Sequence, residues 1–177
     1  NKGFRLDESV ESLRFVEYEP SNTSAYNEST DITIDISAQD NFVLPSKSYL
    51  LVQGRLKPSA DGVYDTKANV SLVNNGVAFL FSKIAYLLNG SEVESISDPG
   101  QAALMRGILI YDENYNSSSG MSLGWVRDLG DGGAKENNTG HVLRNNLTIS
   151  KAQGHFSFAL PLAHLFGFCT DFKQVLY

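Results

Sequence analysis

Apolar and polar residues alternate along much of this chain with the two-residue period of a β-strand. In residues 9–19, SVESLRFVEYE, the alternation brings Val10, Leu13 and Phe15, with Tyr18 at their margin, to one sheet, with a bulge where the phase changes. Pro20 closes that run, and a polar loop rich in Ser and Asn follows. Ile32, Ile34 and Ile36 then alternate with Thr33 and Asp35, which predicts a half-buried strand. Phe42 to Leu44 stops at Pro45, Tyr49 to Leu56 forms the next strand, and Pro58 to Gly62 turns the chain.

The densest apolar block lies between Asn69 and Arg106 and reads as helix, strand, tight turn, strand, helix. Phe81 to Leu88 runs straight into Asn89-Gly90. That pair tolerates the positive φ angles of a type I′ turn, so a hairpin is predicted with Ser91 to Ile96 as its return strand. Asp98-Pro99 then sets an acceptor side chain at an N-cap and proline at the first helical position. A helix follows through Ala102, Leu104, Met105, Ile108 and Leu109. From residue 111 to residue 136 periodicity fades into a Ser-, Asn- and Gly-rich stretch, predicting an exposed loop excursion. Strand character returns at His141 to Ile149 and at His155 to Leu160. No strand, crossover and strand unit recurs, and there is no internal repeat, so the pattern by itself predicts a β-sandwich or barrel with helical insertions.

Four stretches add a resemblance to this reading: Tyr49-Leu50-Leu51-Val52-Gln53-Gly54, Val70-Ser71-Leu72-Val73-Asn74-Asn75, Ile96-Ser97-Asp98-Pro99-Gly100-Gln101, and Phe156 to Leu162 running on to Cys169. Together they resemble the double jelly-roll major capsid protein family of Polinton/Maverick-like and related small DNA viruses, including copies endogenised in animal genomes. The resemblance implies a mainly β fold, an antiparallel jelly-roll sandwich with short helical insertions. It also implies that residues 1–177 form a single jelly-roll-type domain, the incomplete first jelly roll of a longer chain. The function implied is a structural, non-enzymatic capsid protein that self-associates into homotrimeric capsomers, located in the virion and in the host cell interior during assembly. Because Phe172 to Tyr177 has strand character, another chain or the remainder of a longer one is expected to complete the sandwich.

Composition narrows the alternatives. A chain of 177 residues suffices for one well-buried domain. Its net charge of −6, with lysines and arginines scattered, argues against a phosphate-neutralising surface and so against a nucleic-acid site. No apolar run reaches the roughly 20 residues of a membrane span, and the N-terminal residues show no cleavable signal. The single Cys169 rules out an internal disulfide and cysteine-based zinc binding, and its apolar setting predicts a buried structural thiol. Asn-x-Ser/Thr triplets at Asn22, Asn27, Asn69, Asn89, Asn116, Asn137 and Asn146 keep a second class open, a secreted carbohydrate-binding β-sandwich.

Candidate chemistry is sparse. His141, His155 and His164, with Ser157 and Asp171, could in principle form a spatial triad, but no Gly-x-Ser-x-Gly elbow presents a nucleophile. His164 is better placed to hydrogen-bond at a helix end or an interface. Asp128, Asp131 and Glu136 lack the alternating ligand spacing of a calcium loop, and Gly130 to Gly133 lacks the Lys-Ser/Thr of a phosphate cradle. No catalytic, metal or cofactor site is therefore expected. Most aromatics read as core, but Tyr111, Tyr115 and Trp125 lie in or beside the polar excursion and are the predicted interface residues.

Overall fold

A computed structural model of the chain describes residues 12–22, 26, 30–37, 42–59, 62–130, 137–150, 153–174 and 176. The chain divides into two units, Asn1–Phe42 with Tyr177, and Val43–Leu176.

In the larger unit, a 3-10 turn at Pro45–Lys47 leads into β1 (Tyr49–Arg55), and a second 3-10 turn at Gly76–Leu80 precedes β2 (Lys83–Leu88) and β3 (Ser91–Ser97). Helices α1 (Pro99–Ile110), α2 (Glu113–Ser117), α3 (Ser119–Leu123) and α4 (Thr139–Asn145) follow, α4 running into a π-helical turn at Asn146–Ser150. The unit closes with β4 (His155–Pro161), α5 (Leu162–Leu165) and α6 (Gly167–Asp171). Among the described residues, two antiparallel ladders result, β1 with β4 and β2 with β3.

This corrects the expected fold class. Among the described residues, 36% are helical and 20% are in strands, and two small two-stranded antiparallel sheets stand in place of a jelly-roll sandwich. Period-two alternation proves insufficient because it needs partner strands. Residues 12–20 and 31–37 take no regular secondary structure and join no ladder among the described residues, and most of their apolar side chains stay exposed. The remaining runs expected as strands behave unequally. Tyr49 to Leu56 and His155 to Leu160 pair with each other, but His141 to Ile149 is helical. There the Asn138 side chain accepts from the His141 N–H at 3.1 Å and caps α4, a local signal that outweighs the β-rich composition. Residues 111 to 130, read as a loop, carry α2 and α3. The Asp112 carboxylate accepts from the Tyr115 N–H at 2.8 Å to start the first, and Gly124 at φ 74° ends the second.

The central block fares best. Asn89 and Gly90 take φ 48° and 76° between β2 and β3, and α1 begins at Pro99. Asp98 stands at the N-cap as expected but at φ 51°, and its side chain makes no cap bond; the first element of the block is a 3-10 turn in place of a helix. The core gathers between these pieces: Val77, Ala78, Ala103, Leu123, Trp125, Phe158, Leu160, Leu165, Phe166 and Cys169 form one buried cluster. Burying a large member such as Phe166 or Leu160 contributes about 1.5–3 kcal/mol, which a free-standing hairpin lacks. The β2–β3 hairpin is tied to this core by Tyr86, whose ring lies 5.6 Å from Phe166 and 5.4 Å from Phe168. Glu94 holds it a second way, its two carboxylate oxygens accepting from the Gly167 and Phe168 N–H groups at 2.9 and 2.8 Å.

Candidate functional site

Helix α1 is built the wrong way round for an isolated domain. Gly100, Ala103 and Gly107 lie on its buried side, where a Cβ on Gly100 would sit 2.4 Å from the Phe79 ring and one on Gly107 2.5 Å from the Trp125 ring. Small residues let the helix approach closely. The opposite face carries Met105, Ile108 and Leu109, and Ile110 ends the helix; Ile108 is 68% and Leu109 84% exposed. An amphipathic helix normally turns its large aliphatic stripe to the core. Here that stripe faces outward.

The end of α1 is locked by the residues that the sequence marked as interface candidates. Tyr111 stacks on Tyr115 with ring centroids 4.1 Å apart and meets Trp125 edge-on at 4.9 Å. Trp125 is only 5% exposed and donates from Nε1 to Asn116 Oδ1 at 2.8 Å. The Tyr111 hydroxyl lies 2.7 Å from His164 Nδ1, and the Tyr115 hydroxyl 3.4 Å from the same nitrogen. Tyr111, Tyr115 and Trp125 thus converge, but on one another: they form an internal lock under α1. Met105, Ile108 and Leu109, which reach the surface on α1, read in the sequence only as positions of an apolar helix. Their spacing was visible there; the glycines opposite them were the missed signal.

Electrostatics agree with a structural lock. Burial, with Arg106 adding to it, lowers the His164 pKa to about 4, so the ring is neutral near pH 7 and Nδ1 can accept from the tyrosines. Burial likewise raises the Tyr111 pKa and pushes Tyr115 up to about 12. None of these groups titrates near neutrality, and the cluster offers hydrogen bonding without acid–base exchange at that pH. The histidines have different neighbours: His141 Nε2 is 2.6 Å from Asn69 Oδ1, and His155 stands opposite Arg55 in the β1–β4 ladder. Cys169 is buried, and burial followed by the Glu94 charge raises its thiol to about 11, as expected for a structural cysteine.

His164 sets a pH dependence. Its folded pKa lies below the usual 6.5, so the stability it confers is complete above that value and falls as pH drops from 6.5 towards 4. After discounting for partial solvent screening, the change should be about 1–2 kcal/mol. Urea unfolding of wild type and His164→Gln from pH 7 to pH 4 checks this. Parallel curves for the two proteins would remove His164 as the cause.

A second element missed in the sequence holds the loops around this site. Arg144 on α4 is 6% exposed and fans its guanidinium over four acceptors. Nε donates to the Leu72 carbonyl at 3.0 Å, Nη1 to Asn74 Oδ1 at 3.0 Å and to the Val126 carbonyl at 2.6 Å, and Nη2 to Asp128 Oδ1 at 2.8 Å. Asn74 Oδ1 also accepts from the Val126 N–H at 2.8 Å. The segment that carries Trp125 is thereby fixed to the one that leads into the Gly76–Leu80 turn. Asp128, weighed as a calcium ligand, spends an oxygen on this arginine; Asp131 and Glu136 lie outside the described residues.

No family model, curated protein or solved structure matches the chain. Among the described residues, no helix is long and apolar enough to cross a membrane.

Proposed function

We propose that this protein is a structural subunit whose activity is self-association into a shell of the capsid type. The observation that carries the reading is the outward aliphatic face of α1, with Met105, Ile108 and Leu109 exposed over a helix seated on glycines. Monomeric proteins seldom leave a contiguous apolar patch uncovered, and full burial of each such side chain is worth about 1.5–3 kcal/mol. The resemblance of four stretches to major capsid proteins supports the same function, the jelly roll itself having been set aside. The aromatic lock supports it too. It holds α1 in one position, as a repeated contact requires, and it draws Tyr111, Tyr115 and Trp125 inward, away from the sugar-stacking role that a carbohydrate-binding module would need.

The test is Leu109→Glu in the chain as it stands. A charge on a fully exposed residue changes fold stability by less than about 0.5 kcal/mol, whereas in a buried contact it should weaken association at least about tenfold, equivalent to 1.4 kcal/mol. Light scattering over a concentration series should show wild type gaining mass and the variant gaining it only at concentrations at least about tenfold higher. A wild-type monomer at every concentration, or a variant that assembles like wild type, would overturn the reading.

A further inference from the structure

We infer that residues 31–37 of one copy add as a third strand to the open edge of β1 in a second copy. This rests on the self-association reading and gives it a second contact.

The segment joins no ladder among the described residues. Ile32, Ile34 and Ile36 share one side and are 38%, 36% and 43% exposed. On its other side the main chain is already engaged: Thr33 N–H donates to Asn22 Oδ1, Thr33 O accepts from the Ser21 N–H, and Asp31 O accepts from Asn22 Nδ2, all at 2.8–2.9 Å. These bonds pin the odd-numbered residues. Among the described residues, no hydrogen bond occupies the main chain of Ile32, Ile34 or Ile36. Among the described residues, one edge of the segment is held by these bonds and the other carries none.

The β1 edge offers the matching groups. The Leu162 N–H donates to Ser48 O at one end of the ladder and the Leu56 N–H to Gly154 O at the other. Because hydrogen-bonded and open positions alternate in an antiparallel pair, the even residues of β1 bond to β4 and the odd residues turn their N–H and C=O groups away from it. Leu51, 47% exposed, is at the middle of that outward set, and no described strand lies beyond it. Residues paired across a ladder share a face, so the isoleucines would come to rest beside Leu51. An extended segment that adds to an edge gains main-chain bonds and side-chain contacts together.

Charge selects this pairing over others. Residues 12–37 contain Glu17, Glu19, Glu28, Asp31 and Asp35 against Arg14 alone, while residues 43–59 contain Lys47, Arg55 and Lys57 with no acidic residue. An acidic segment is drawn to this basic edge, whereas two β1 edges facing each other would bring like charges together.

Two variants test it in the full chain. Ile32→Asp/Ile34→Asp spoils the segment and leaves β1 intact. Leu51→Pro removes an outward N–H from the edge without touching the β1–β4 bonds, and Leu51→Asp, which sets a like charge against the acidic segment, stands in for it if proline prevents folding. Each variant alone should associate at least about tenfold more weakly than wild type in sedimentation velocity. Made in a Leu109→Glu background, which removes the α1 contact, and mixed in equal amounts, they should form a one-to-one complex that neither forms alone, because one retains the segment and the other the edge. Weakened variants that form no complex on mixing would mean the contact is not made between copies and would overturn the inference. Variants that associate like wild type would also overturn it while leaving shell formation standing. A wild-type protein monomeric throughout would remove both.

Discussion

Replacing Arg144 by alanine should cost about 3–5 kcal/mol of folding stability, the largest loss expected from any single side chain outside the apolar core. Alanine strips the Arg144 partner from the Leu72 and Val126 carbonyls, where an acceptor left unpaired costs about 1–3 kcal/mol, and takes one of two donors from Asn74 Oδ1, which keeps the Val126 N–H. The ion pair with Asp128 is the smaller part of the effect, since that carboxylate is 46% exposed and screened by water. Asp128→Asn should therefore cost less than about 1 kcal/mol. Arg144→Lys, which keeps the charge but loses the planar fork, should recover less than half of the alanine deficit. Guanidinium unfolding midpoints decide among these. If Asp128→Asn proves as damaging as Arg144→Ala, charge pairing and not the fan of hydrogen bonds dominates.

The second large effect is expected at Gly107, where alanine should destabilise by about 1–3 kcal/mol. In an exposed helix the same change would stabilise by nearly 1 kcal/mol. Here the sign reverses because the new methyl would lie 2.5 and 2.6 Å from two ring carbons of Trp125 and 2.9 Å from Tyr111. Either α1 or the Trp125 ring must move. Trp125 is the sole tryptophan, so its fluorescence reports on this one contact. A red-shifted emission with a lower melting temperature is the expected result; unchanged emission with a raised melting temperature would show that the close packing is not rigid. Self-association should weaken in parallel, because displacing α1 moves Leu109 and its neighbours.

The part of the fold that could be read from the residues is the part written locally. Asn89-Gly90 demands a tight turn, Asp98-Pro99 opens a helix, and both appear where the chain predicts them. The pairing of β1 with β4 was not legible as a pairing, although both strands were, because register between distant segments leaves no local trace. The helix at Thr139–Asn145 was misread because Val142, Leu143, Leu147 and Ile149 favour strands in isolation, while the deciding information lay in Asn138 as a cap and in the acceptors waiting for Arg144. The aromatic cluster shows the same limit. Tyr111, Tyr115 and Trp125 stand out in the sequence as interface candidates, and only three-dimensional proximity reveals that they pack on one another and on His164. Polarity of the surrounding sequence pointed the other way, since Asn116 looks like loop filler and is in fact the acceptor for the indole.

The separation between β1 and β4 has a consequence for synthesis. The partners in that ladder are about a hundred residues apart, so at about 5–20 residues per second β1 waits roughly 5–20 s after leaving the ribosome before β4 exists. Through that interval Leu50, Leu51 and Val52 form an unpaired apolar strand on a nascent chain, beside other chains growing on the same message. Lys47, Arg55 and Lys57 bracket it on both sides, and flanking charges of one sign keep such strands from coalescing. The same basic residues that favour an acidic strand in the finished protein would thus act first as guards during translation.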